Sequence, residues 1–511
     1  MAYAVGKPLP NGETLRVPKP EKSIQTKDTL ILAFVRMGGE SAPWGVAFGV
    51  PGRRPDVLTV AEPRTRDYVA DMMAEFAPIL LTHLFHPRFD KAGRVAKGAD
   101  RPELPLRQVW LPNRSHLEML HCIEYAYYRT RYGSESRQEL LHMLARACGW
   151  LFREGQRPGQ MVTMIASDVL SEAFTFPADN LRQGHLGFLL AWLTRKGDGI
   201  ARAQAAAEAE RHSMSTNLDP EFERTELAPE VELFNTARDD GDTPKIERSA
   251  KVIKTRLTEE LIRRWELAEQ AIDALARDKR RENTGVPRLV KASLDEHYRQ
   301  YLRIEHKFDD PEDGPPFSPS PETDRHPAAA GSRYYVYASS AELRERLLVH
   351  DDKEMQAELI ANGEAIDGVI TDIDVEKEGR KTRVYWTVDS DGTLPLRLRE
   401  GQSLCLIGCD RRHVEILDVD QPDQKTNRFE LEVTKGKTLE EKGLLRAEDK
   451  RLVGRRVLLV EPPMDGISRR KSAAIWRQDG PGHWLTHATP KGPGADLPDD
   501  VAENLAEITR R

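Results

Sequence analysis

The stretch from Arg428 to Gly443, RFELEVTKGKTLEEKG, runs an alternating strand straight into Gly436-Lys437-Thr438. This is the strand–GKT order of a phosphate-binding loop. Such a loop needs Gly-x-x-x-x-Gly-Lys-Ser/Thr, because the backbone N–H groups of a glycine-rich turn must wrap the phosphates. The position of the first glycine is taken by Leu431, inside the strand, so the wrapping turn has no room. The motif is expected to be a turn that closes a β-barrel, and no ATPase is expected. Asp295-Glu296, an acid pair of the kind that holds Mg²⁺ at a strand end, lies in the helix-like segment LVKASLDEHY.

Other residue types invite metal or acid–base chemistry. Asp367, Asp372, Asp374 and Glu376 cluster in IDGVITDIDVEKEGRK, and strand alternation puts the last three on one face together with Ile370. Glu376-Lys377-Glu378 lacks the Glu-x-Lys order of a nuclease, so a charged outer barrel face is preferred, with a metal-dependent nuclease kept as an alternative. Cys405 and Cys409 stand near His413, but Cys405 sits in an apolar strand and reads as a small buried hydrophobe. His116, His121, Cys122 and His142 fall on helices as core or surface groups. His83 and His86 precede Pro87, where a helix end would favour a cation. No Gly-x-Ser-x-Gly or His-Glu-x-x-His occurs. No catalytic residue, metal or cofactor is expected.

Basic surface carries more information. From Arg446 to Arg477 there are nine basic side chains against four acidic ones, in a chain of net charge −7. Trp476, His483 and Trp484 are interleaved. Lysine and arginine neutralise phosphates and aromatic faces stack on bases, so Arg446, Arg451, Arg455, Arg456, Arg469, Arg470, Lys471, Trp476, Arg477 and Trp484 form the candidate binding set for DNA or RNA. The plainer reading is a solvated face with core tryptophans. A second cluster, Arg277, Lys279, Arg280 and Arg281, ends a helix, where positive charge is favourable anyway.

The elements that must position these residues give an α+β, multidomain chain: mainly helical over the first two-thirds, with a small N-terminal β element, then a small β-barrel. Residues 1–112 read as mixed α/β, with strands at Thr29–Val35, Trp44–Val50 and Leu58–Val60 and a helix over Thr65–Leu84. Residues 113–216 read as helical, with helices over Glu135–Arg153, Gly159–Phe174 and Asn180–Leu193. Residues 217–244 form a polar crossing. In 245–308 the seam Ile253, Leu257, Leu261, Trp265, Ala268, Ile272 and Leu275 on a charged rod predicts one arm of a long helical hairpin, turned at Gly285 and Pro287. Residues 309–332 are an acidic, proline-rich linker. Residues 333–465 hold a helix over Ala341–Ala361 and then six short strands, at Gly363–Ile370, Arg383–Val388, Leu394–Leu398, Ser403–Ile407, His413–Asp418 and Arg428–Thr434. Residues 466–511 are a basic, aromatic extension.

At 511 residues, two to four domains are expected. Four cysteines, no signal-peptide core and no apolar run of ~18 residues point to a cytoplasmic protein without a membrane partner. Frequent alanine and arginine fit a bacterial source.

The order of long paired helices, a further helix, then a barrel opening on GEAIDGVITDIDVE and closing on LEVTKGK resembles the stalk-and-barrel region that precedes the motor core of Dna2/Nam7-type superfamily 1 helicases. The resemblance covers roughly 200 residues. It implies a barrel held over a nucleic-acid channel. No Walker residues precede Arg511, so the motor is expected on a separate helicase or nuclease subunit. The expected function is a non-catalytic nucleic-acid-binding subunit of such a complex, in DNA repair or antiphage defence. The alternative of another class is a protein-interaction scaffold that binds no nucleic acid.

Overall fold

A computed structural model describes residues 15–16, 22–85, 106–177, 179–277, 286–305, 327–379, 381–439 and 445–462. Two compact units result. The first comprises 1–318 with 343–463, and the second comprises 319–342 with 464–511, of which only the helical 327–342 is described. The described residues are mixed α and β, with two large sheets.

The first sheet has strands β1 (Thr29–Arg36), β2 (Pro43–Gly49), β3 (Asp56–Thr59), β4 (Gln108–Leu111) and β5 (Thr163–Ile165), in the order β3-β2-β1-β4-β5. β1–β3 are antiparallel neighbours, whereas β4 and β5 run parallel to β1. β1 reads TLILAFVR and is buried on both faces, as a central strand with helices above and below should be. Between these strands come α1 (Arg66–Phe85), α2 (Arg114–Tyr127) and α3 (Glu135–Gln156). Asn113 caps α2 by accepting from Ser115 N.

Three expectations are corrected here. The segment expected as one helix over Gly159–Phe174 is β5 followed by α4 (Ala166–Ala173). The helix expected over Asn180–Leu193 breaks at Gly184-His185, and His185 caps α5 (Leu186–Thr194). After α6 (Gly199–Glu210), the polar crossing contains Pro220–Phe222, a π-helical turn at Glu223–Leu227 and α7 (Ala228–Asp240). Asp219 starts it by accepting from the Glu221 and Phe222 amides.

The long helix α8 (Thr243–Ala276) is not the free arm of a hairpin. Its seam is buried in the same core as β1. Trp265 Nε1 donates to the Ile31 carbonyl at 3.1 Å. Gly45 of β2 makes the approach possible, since a Cβ there would lie 2.8 Å from Leu261 Cδ1. The next helix, α9 (Val286–Glu305), packs on the end of α1, with the His297 ring 2.7 Å from the Leu84 carbonyl and set against the rings of Phe85 and Trp150.

The acidic linker lies largely outside the described residues, but its last part is helical, because α10 (Pro327–Val349) begins at Pro327. Asp351 and Asp352 split the helix expected over Ala341–Ala361, and Asp352 caps α11 (Lys353–Asn362).

Six strands then close on one another: β6 (Ile366–Glu378), β7 (Lys381–Asp391), β8 (Ser403–Leu406), β9 (Cys409–Asp423), β10 (Thr426–Lys435) and β11 (Arg456–Val460). The cyclic order is β8-β9-β10-β7-β6-β11, antiparallel throughout. Leu394–Leu398 is not a strand, and β11 takes the sixth place. Ile366, Ile370, Ile373, Trp386, Val388, Phe429 and Leu431 fill the ring as a second core. Among the described residues no helix is long and apolar enough to cross a membrane.

Candidate nucleic-acid interface

β11 and the turn before it carry the described part of the basic set. The segment is strapped to the ring at both ends. Ala447 N donates to Lys437 O and accepts Trp386 Nε1 at its own carbonyl, while Gly454 N donates to Ile370 O. Asp449 caps the short 3₁₀ turn Lys450–Leu452 by accepting from Arg451 N. The Arg451 guanidinium folds back on the same carboxylate, at 2.6 Å from Nη2 to Oδ2. These hydrogen bonds, with the nearby charge of Arg455, hold Asp449 down at about 2. Arg456 grips Asp367 of β6 with Nε and Nη2, each at 2.6 Å. Lys450 faces Asp372 at 3.7 Å and donates to the Ile373 carbonyl. Arg446 and Arg455 are exposed.

The structure therefore gathers Arg446, Arg451, Arg455 and Arg456 on one strap, with Arg451 on Asp449 and Arg456 on Asp367. Arg456 and Arg451 remain 74 % and 72 % exposed, so neither pair is sealed from a competing anion. Arg469, Arg470, Lys471, Trp476, Arg477 and Trp484 lie outside the described residues, as do Arg280 and Arg281.

The GKT turn is held by the chain's own hydrogen bonds. Gly436 has φ +71° and reverses the chain after β10. Lys437 Nζ donates to the Thr382 carbonyl at 2.9 Å. Arg412, fully buried beneath Trp386, donates to Gly436 O at 3.3 Å and to Leu439 O at 2.9 Å. The turn is thus tied down by side chains that donate to its own carbonyls and to β7.

The carboxylates of β6 point outward. A bulge between Ile370 and Asp372 breaks the expected parity, so Ile370 and Ile373 are both buried while Asp372, Asp374 and Glu376 are exposed. Tyr385 OH donates to Glu376. Among the described residues no three His, Cys, Asp or Glu side chains are grouped to hold a metal. Cys405 is buried, as expected, with its Sγ 3.7 Å from His350 Nε2.

Helix-borne histidines also find structural partners. His83 is not a helix-end cation: burial lowers it to about 4, and its ring lies 3.1 Å from the Gln108 carbonyl. His116 accepts from Phe34 N at 3.0 Å, faces the Met214 carbonyl at 3.2 Å, and is lowered to about 3, first by burial and then by Arg264. His142 lies 2.9 Å from Thr130 O.

Open α/β sheets commonly take ligands outside the carboxyl ends of their parallel strands. Here that edge is covered by the chain's own 213–217. Arg36 N donates to Thr216 O at 2.7 Å, Arg36 Nε to Asn217 at 2.7 Å, and Asn113 Nδ2 to Met214 O at 2.9 Å. From α8, Arg263 and Arg264 donate to the Ser213 and Ser215 carbonyls. Arg264 is wholly buried and paired with Glu260. Only the i, i+4 spacing of that pair was visible in the chain. Glu124 is likewise buried, between Arg153 at 3.0 Å and His121 at 3.1 Å.

No protein-family model matches the chain, and no curated protein or solved structure matches it either.

Proposed function

We propose that this chain is a non-catalytic nucleic-acid-binding subunit that assembles with a separate helicase or nuclease, in bacterial DNA repair or antiphage defence. The observation that carries the binding role is the strap 446–456, which presents four arginines on the rim of a closed ring. Both pairs are open to solvent on the arginine side, and such pairs contribute little, so a phosphate chain can compete with Asp367 and Asp449 for the two guanidiniums. The commitment of Lys437 to a backbone carbonyl supports a binding role in place of nucleotide hydrolysis. The helicase partner and the pathway rest on the resemblance of the ring region.

Changing Arg455, Arg456, Arg469, Arg470 and Lys471 together to Glu tests the reading. Affinity for labelled DNA or RNA falls at least tenfold if it holds. Unchanged affinity in a folded variant rejects it and favours the protein-interaction scaffold.

A further inference from the structure

A cavity of about 230 Å³ opens where the end of α3 meets α4. Its charged lining is Lys22, Arg114, Arg157 and Arg344 against Asp168 and Glu172. We infer that this cavity binds a phosphate monoester, presented either by a small molecule or as the terminal phosphate of a nucleic-acid strand. The strand source rests on the proposed function; the phosphate site does not.

The sign of the lining selects the ligand. Four cations face two carboxylates in a chain whose overall charge is −7, and with Glu154 behind Arg157 counted the balance stays positive. Apolar lining is confined to a few side chains such as Ile165 and Val169, too little for a hydrophobic ligand. Cationic side chains drawn from different elements suit the several oxygens of a phosphate.

The wall is preformed. At the turn after α3, Gln160 accepts from Val162 N at 2.8 Å and Thr163 N at 2.9 Å, and donates to Thr163 O at 2.6 Å. Lys22 Nζ reaches the Gln160 carbonyl at 2.8 Å. Arg157 is held by Glu154 through Nε at 2.9 Å and Nη2 at 2.6 Å. Gly159, at φ +72°, brings this backbone against Arg344, where a Cβ would lie 3.2 Å from Arg344 Cβ. Arg114 meets Asp168 at 2.9 Å while 74 % exposed, so it can exchange that carboxylate for a phosphate oxygen.

The test uses the full chain and an Arg114→Gln/Arg344→Gln variant whose thermal unfolding matches the parent. Anisotropy compares 5′-phosphorylated with 5′-hydroxyl versions of one labelled oligonucleotide, and thermal shift reads inorganic phosphate and phenyl phosphate. Roughly tenfold tighter binding of the phosphorylated strand, abolished in the variant, supports the site with a strand end as its source. No strand preference, but a thermal shift by phenyl phosphate or inorganic phosphate that the variant loses, supports it with a free ligand as its source. If neither appears, the inference is overturned. Asp168→Asn, which removes the competing carboxylate, should tighten whichever ligand binds by several-fold; weaker binding in that variant also counts against the site. Binding of the 5′-hydroxyl strand reports on the arginine strap alone, so its absence contradicts the proposed function without touching the cavity.

Discussion

The Lys437 ammonium, within the turn that a nucleotide would have to occupy, sits 2.9 Å from the carbonyl oxygen of Thr382 on the neighbouring strand. A lysine spent in this way ties β10 to β7. Lys437→Met should lower stability by about 1.5–3 kcal/mol, the worth of a hydrogen bond from a charged donor, in urea unfolding. Neither the parent nor this variant should turn over ATP. Lysine-dependent ATP hydrolysis by the purified chain would instead show that the turn rearranges around phosphate.

Trp265 is the anchor between α8 and the sheet. Trp265→Ala should cost about 3–5 kcal/mol through loss of a fully buried ring. Trp265→Phe keeps most of the packing and loses the bond to the Ile31 carbonyl, for about 1 kcal/mol. Equal, small effects of both changes would mean that α8 stands away from the sheet as a stalk.

Gly149 and Glu124 should be strongly coupled. A Cβ on Gly149 would fall 1.9 Å from Glu124 Oε1, so Gly149→Ala displaces a buried carboxylate from Arg153. Breaking such a pair costs about 3–5 kcal/mol. In a Glu124→Ala background the clash is gone, and the same change at Gly149 should cost much less. Additive effects in this double-mutant cycle would contradict the packing described.

Three imidazoles, the buried His116 and His297 and the half-buried His83, make stability acid-sensitive. His116 is lowered to about 3, and His83 and His297 to about 4, burial being the largest cause in each. The unfolded chain therefore takes up protons below about pH 6.5, where the folded protein does not, and their stabilising contribution is present above pH 6.5 and lost progressively as pH falls towards 4. His116→Asn should lower stability at neutral pH while flattening that slope between pH 6.5 and 4 in denaturant titrations. An unchanged slope would show that His116 is already charged in the fold.

Much of this architecture was legible where period and burial agree. The β1–β2 hairpin and α1 stand where continuous apolar runs and three- and four-residue spacing put them, and the ring follows the strand-rich sequence after Gly363. What escaped notice has physical causes. β4 (QVWL) and β5 (TMI) are short and buried on all sides, so neither shows a period of two. α7 buries only Val231, Phe234 and Ala237 among its described side chains and reads as polar chain. The narrow seam of α8 looks the same whether it meets one helix or a sheet. The bulge at Thr371 inverts the parity of β6, and no residue type announces it. Of the candidate site, the arginines of the strap were legible as charge. Their carboxylate partners Asp367 and Asp449 were not, because Asp367 lies far away in sequence and Asp449 caps a turn too short to recognise.

The central claim is that the strap 446–456 holds a phosphate backbone. The most direct measurement is the salt dependence of binding to labelled single-stranded DNA and RNA, for the parent chain and for Arg446→Glu/Arg451→Glu/Arg455→Glu/Arg456→Glu. The account predicts that log affinity falls linearly with log salt in the parent, and that the variant binds weakly with its slope reduced by about 0.7 for each phosphate it no longer neutralises. A parent that binds neither polymer, or a folded variant with the parent's affinity and slope, would contradict it.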